Sequence, residues 1–170
     1  MSTVNYTKDN KGLQKMRDLI TTPKIVMMAT RLDKIPFSIC PMTLQEMDEQ
    51  GDLWFVSSKE SGHFKDIDTD NRVQLIYTDE PNSTYISMYG NATHIVNENK
   101  ISELWHDGLN NWFKGKDDPN LVLLNVNMES AFYWERTTDS LVSFFAYTTP
   151  SDGKESSETG HKGYVNMQNH

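Results

Sequence analysis

Cysteine occurs once in 170 residues, at Cys40, so no internal disulfide can form and a reducing cytoplasm is the expected compartment. Long apolar runs are also missing. The longest, such as Ile25–Ala29 and Leu121–Leu124, are far too short to cross a bilayer. The opening MSTVNYTKDN lacks the apolar stretch of a secretory signal, which again points to the cytoplasm. Positive charge is scarce: 16 Lys and Arg face 24 Asp and Glu, for a net charge of −8. Without a basic stripe, a phosphate backbone has nothing to bind, so no nucleic-acid partner is expected.

Familiar catalytic signatures are absent as well. The five histidines are scattered and form no HxxxH, and no CxxC occurs, so no metal site is expected. Asp117–Asp118 precedes Pro119 in a turn, where aspartate is common for backbone reasons. There is no GxSxG elbow, no phosphate-binding glycine loop, and no histidine next to Cys40 in sequence.

What is present suits one globular domain, with 36% hydrophobic and 11% aromatic residues. Leu13, Met16, Leu19 and Ile20 recur at helical spacing until Thr21, Thr22 and Pro23 stop the helix. KIVMMATRL is too apolar for a strand with one wet face, so it is expected to be central. In FSICPMTLQEM, Pro41 marks an edge or a bulge, and MDEQGD turns the chain into LWFVSS. A short helix follows from Ser61, then RVQLIYTD and STYISMYGNATHIV, joined at Glu80–Pro81–Asn82. Ile101, Leu104, Trp105, Leu109 and Trp112 predict one amphipathic helix over 98–113, capped by Gly115. LVLLNVNMESAFYWER predicts two further strands with a break near Met128–Ser130. Residues 1–10 read as a frayed end. The Ser/Gly/Glu/Lys-rich residues 148–170 read as a mobile tail beyond a domain of 1–147. Six or seven strands with short links and no βαβ alternation imply a barrel or a sandwich.

The most informative stretch is WFVSSKESGHFKDI, residues 54–67. Large alternating residues give way to hydroxyls where a strand becomes a helix. Ser57, Ser58 and Ser61 can donate to an anion at the helix N-terminus, with Lys59 or His63 adding charge. The plainer alternative is that Ser61 only caps the helix.

The run CPMTLQEMDEQGDLWFVSSKESGHFKDIDTDNRVQLIYTD resembles the general stress protein 26 group of pyridoxamine 5′-phosphate oxidase-like, FMN-binding split-barrel proteins. So do YISMYGNATHI, ELWHDGLNNWFKGKDDPNLVLLNV and FYWE, and the resemblance extends from about Lys11 to Trp134. It implies a mainly β fold, a six-stranded antiparallel split β-barrel flanked by helices, which dimerises with FMN between its subunits. Cys40, Pro41, Met42 and Thr43 would then lie along the flavin. Val56 and Ser57, with Ser61, Gly62 and His63, would bind the ribityl phosphate. Trp112 and Lys116 would close the site from the other subunit, although Trp112 also reads as a core residue of its helix. Where the group commonly carries Arg before the PM pair this chain has Cys40, and where it carries Lys after SG this chain has His63. Lys59, Arg31 and Lys116 are the candidates to compensate. The apolar load of IVMMA and LVLL, with Trp54, Trp105, Trp112 and Trp134, independently predicts a surface patch and a homodimer. Three functions remain open: an FMN-dependent oxidoreductase acting on a small molecule, a flavin-binding carrier or sensor without turnover, and a cofactor-free dimeric interaction module.

Overall fold

The computed structural model describes residues 3–6, 10–136 and 160–167. Among the described residues eight strands carry the fold: β1 Thr3–Tyr6, β2 Lys24–Thr30, β3 Ser38–Met47, β4 Leu53–Ser58, β5 Arg72–Asp79, β6 Thr84–Ile95, β7 Leu121–Arg136 and β8 Gly160–Asn166. Three α-helices accompany them, α1 Asn10–Leu19, α2 Gly62–Thr69 and α3 Glu98–Leu104, with a 3-10 turn at Asp107–Asn111. Six strands close a barrel in the order β7-β4-β3-β2-β5-β6, with β6 returning to β7. Every pairing in that ring is antiparallel, and short links join β2 to β3, β3 to β4 and β5 to β6 as hairpins. Among the described residues no helix is long and apolar enough to cross a membrane.

Alternation along each strand builds the core. In β4, Leu53, Phe55 and Ser57 are buried while Trp54, Val56 and Ser58 are half-buried on the other face. Leu44, Phe55, Leu75, Tyr77, Ile86 and Leu124 are among the residues that fill the interior, and α1 adds Met16 and Leu19. Burying each large side chain contributes roughly 1.5–3 kcal/mol. A smaller cluster of Ile101, Leu104, Leu121 and Leu123, flanked by Trp54, Val56 and Trp105, seats α3 outside the barrel.

β7 runs through two environments. Residues 121–126 pair with β4, whereas residues 130–136 pair with β8, and β6 follows the other edge throughout. The break predicted near Met128–Ser130 is therefore a bulge within one strand: the register shifts opposite Tyr89 and Gly90. A β-carbon on Gly90 would collide with the Asn127 backbone, which explains glycine there.

Three further expectations are corrected. The tail reading does not hold for residues 160–166, which form β8, with Val165 and Met167 buried against the core. Val165 and Met167, two apart, face the core from a polar background, and the strand extends the sheet between β7 and β1; residues 148–159 lie outside the described residues. The N-terminal segment is not frayed throughout, because Thr3–Tyr6 pairs in parallel with β8. The helix predicted over 98–113 is split: Trp105 adopts extended backbone, and His106 precedes the separate 3-10 turn. Apolar spacing persists across the break because Leu109 is still buried, while Trp112 is 82% exposed and not a core residue.

Candidate functional site

The barrel is split between β3 and β4. Their ladder pairs Leu44 with Phe55, Glu46 with Trp54 and Met47 with Leu53, and then stops. Beyond it, residues 38–43 pair only with β2, and residues 56–58 pair only with β7. Pro41, which has no N–H to donate, sits in this one-sided stretch, so the expected edge is a local one. The diverging strands open a groove of about 360 Å³. Pro41, Met42, Thr43 and Gln45 form one wall and Val56, Ser57 and Ser58 the other. Ser61 and His63 close one end, and Leu109, Trp112 and Phe113 complete the lining.

The hydroxyl end is built by the start of α2. Ser61 caps that helix, accepting from the Phe64 N–H at 3.3 Å and donating to the Ser58 carbonyl at 2.7 Å. His63 lies among these groups. Its Nε2 is 2.7 Å from Ser57 Oγ and 3.1 Å from Ser61 Oγ, and its Nδ1 is 3.7 Å from Cys40 Sγ. Ser61 has already given its only proton to Ser58, so it can only accept from the ring. The network therefore assigns the ring proton to Nε2 and leaves Nδ1 to accept from the Cys40 thiol. Ser57 then keeps its own proton for a group in the groove.

Electrostatics keep this cluster uncharged. Burial, and then the neighbouring His94, push the His63 pKa below its usual value, with Asp66 opposing them. Burial, and then Asp66, push the Cys40 thiol up. Cys40 and His63 meet in space although they are far apart in sequence. Those directions make them a thiol and a neutral imidazole, not a thiolate–imidazolium nucleophile. His94 stacks on Phe64 with ring centroids 4.0 Å apart, and its Nδ1 lies 3.4 Å from Asp68, tying α2 to β6.

Of the residues named from sequence, Pro41, Met42, Thr43, Val56, Ser57, Ser61, His63 and Trp112 all line this groove. Cys40 stands behind it against His63. A side chain at Gly62 would meet no protein atom within 4 Å, so the helix start is open there. Lys116 is elsewhere, in a second cavity of about 260 Å³ that it shares with Lys59, Glu98 and Asp117. Trp112 lines the groove of its own chain. Gln45, Leu109 and Phe113 escaped the sequence reading. Gln45 was findable, since it follows Pro41 and Thr43 at period two, whereas Leu109 and Phe113 were absorbed into a continuous helix that does not exist. Among the described residues no group of three or more His, Cys, Asp or Glu is placed to hold a metal.

The family described as "Pyridoxamine 5′-phosphate oxidase like" matches residues 11–156. General stress protein 26 of Bacillus subtilis (strain 168) is 30% identical over 80 residues, covering 45% of this chain and 57% of that protein. The chain spans less than two thirds of the length of the curated relatives it matches. A solved structure from Jannaschia sp. CCS1, provisionally assigned as a general stress protein 26, superposes with a TM-score of 0.70 at 17% identity. That alignment covers 92% of this chain and 98% of the other. The general stress FMN/FAD binding protein of Xanthomonas citri superposes with a TM-score of 0.65 at 24% identity, covering 78% of this chain and 94% of its own. At such identities the superpositions establish the split-barrel fold.

Proposed function

The chain belongs to the pyridoxamine 5′-phosphate oxidase-like family, and from that premise we propose that it is a flavoprotein, a homodimer that carries FMN in the β3–β4 groove as a redox cofactor for an unidentified small molecule. One observation carries this reading: the split places the Pro41–Thr43 edge directly across from the hydroxyl end at Ser57, Ser58 and Ser61. The lining fits a flavin. At about 360 Å³ the groove lies within the range of small-molecule sites, roughly 300–1,000 Å³. Pro41, Met42, Val56 and Leu109 offer apolar surface to a flat ring, and Trp112 and Phe113 offer aromatic surface. Backbone groups of residues 38–43 and 56–58 on the facing edges have no ladder partner and, apart from the Ser58 carbonyl, which Ser61 already holds, can meet the polar rim of that ring. The serines can take a ribityl chain and its terminus. When bound, a flavin supplies hydride and single-electron chemistry.

A second copy of the chain is the natural cover for the face beside the groove. Met27 is in register with Pro41 on one side and Ile76 on the other, and all three project outward. Ile25 and Ile39 extend that apolar strip, exposed at 65% and 47%.

Freshly purified full-length protein should be yellow, run as a dimer, and release FMN for mass spectrometry. Colourless protein that takes up no flavin would overturn the assignment. Anaerobic mixing with NADH or NADPH should bleach the flavin, and bound flavin that resists both donors would favour a carrier or sensor. That second reading has its own support, since among the described residues no carboxylate, lysine or arginine lines the groove to move a proton, and burial disfavours the charged form of His63, which does line it.

A further inference from the structure

The flavin reading leaves open which end of the ligand the groove recognises. We infer that the groove does not select for a phosphate: riboflavin and FMN occupy it with affinities within about tenfold of each other. This rests on the flavin reading and goes beyond it, because it gives this chain a ligand preference that its relatives' names do not predict.

The first ground is the lining itself. Among the described residues twelve face the groove, and none of them carries a fixed charge. The second is where the nearby cations went. Lys59 follows Ser58 in sequence, yet it lines the second cavity with Lys116. Arg31 is held by Asp33 through two bonds of 2.8 and 3.0 Å. None of the three candidates for compensation lines the groove of its own chain.

The third ground is the arrangement of His63. Both ring nitrogens are engaged within the chain, Nε2 by Ser57 and Ser61 and Nδ1 by Cys40. The groups bearing on it are Cys40 from β3, Asp66 from its own helix, and His94 from β6, itself beside Asp68. Burial and His94 favour the neutral ring. Cys40 and His63 are also the two positions where this chain departs from the Arg and Lys common in the group it resembles. The structure puts both departures at one spot, 3.7 Å apart, so one end of the groove lacks two charges together. The side-chain polar contacts left for a ligand are the hydroxyls of Thr43, Ser57 and Ser58 and the amide of Gln45, all neutral, which serve a ribityl hydroxyl as well as a phosphate oxygen. Around them, the chain's net charge of −8 repels a dianion.

The experiment is a titration of the full-length dimer, freed of ligand, with FMN and with riboflavin, followed by quenching of flavin fluorescence. The expected result is a ratio of dissociation constants below about tenfold, the least that one charge-assisted bond would add. FMN affinity should also hold or rise as salt goes from about 0.05 to about 0.5 M, because screening relieves repulsion. His63→Lys should install the missing charge, favour FMN over riboflavin by a further tenfold or more, roughly, and make FMN binding weaken with salt. His63→Gln, which keeps a neutral donor, should leave the ratio within about twofold. A wild-type preference for FMN above about tenfold that fades with salt would overturn the inference while leaving the flavin reading intact. So would a His63→Gln variant that loses FMN alone. Failure of both ligands to bind would remove the inference and the flavin reading together.

Discussion

Strands β2, β3 and β4 carry apolar residues on both faces, and the two faces behave differently. Inward, Val26, Met28, Leu44, Leu53 and Phe55 are buried in the barrel. Outward, Ile25, Met27 and Ile39 are exposed beside the groove. Chemically the two sets are alike, and strand geometry alone does not distinguish them. Packing does, because the inner set has partners from every other strand of the ring. The outer set has no cover among the described residues, and such a strip usually marks an interface. An all-apolar strand therefore need not have both faces buried within one chain. Its second face can be held for another molecule.

The largest effect should come from the inner face. Phe55→Ala removes a fully buried ring and should cost about 3–5 kcal/mol in chemical denaturation. A loss below about 1 kcal/mol would mean that the interior is not packed as described.

The outer face should respond in association, not folding. In the proposed homodimer, the double variant Ile25→Glu, Met27→Glu should keep its circular dichroism but shift light scattering from dimer to monomer mass at micromolar concentration, because like charges would face each other across a symmetric interface. If the variant unfolds, or still dimerises like the parent, the outer strip is not the interface.

At the end of the groove the comparison becomes one of hydrogen bonds. Ser61→Ala removes the cap of α2 and should lower stability by about 0.5–2 kcal/mol. Ser58→Ala, whose hydroxyl accepts from the exposed Glu60 N–H, should cost less. Equal losses would mean that capping is not what Ser61 contributes.

The smallest effect is a pH dependence. His63 and His94 both have pKa values lowered by burial, so the unfolded chain binds more protons than the native one as pH falls below about 6.5. Their stabilising contribution is present above that pH and declines as acid is added. The depressed carboxylates, Asp70 at about 2 and Asp79, Asp33 and Asp118 also lowered, lose theirs only at lower pH, below about 4. Between pH 7 and pH 5 the histidines should set the slope, and His63→Gln should flatten it, as urea melts at those two values would show. An unchanged slope would mean that His63 is not buried as a neutral ring.

Much of the fold was legible because local rules and tertiary packing agree. Thr21–Thr22–Pro23 ends α1 as expected, Gly51 takes a positive φ of 91° in the hairpin it was assigned to, and Ser61 caps α2. The hydroxyl cluster was legible for the same reason: a strand end and a helix start adjoin in sequence, so their side chains share a neighbourhood whatever the fold. The two readings left open for Ser61 turn out to be compatible, since it caps the helix and lines the groove at once.

What failed was decided at long range. Trp105 leaves the helix and Trp112 becomes exposed, although nothing in their spacing separates them from a continuous amphipathic face. Tyr164 and Val165 count as part of a strand only because residues 130–136 of β7 offer an edge to pair with. By itself, the sequence determined α1, α2, the strands β2 to β6, their turns and the capping of α2, since these depend on neighbours a few residues apart. Only the tertiary structure decided that β3 and β4 part company after Leu44, that Cys40 meets His63 across 23 residues, and that Lys59 and Lys116 share a different cavity. The reason is physical: backbone propensity acts within a turn or two, whereas a groove is the space left where two ladders diverge, and its charge depends on which side chains closure of the barrel turns toward it.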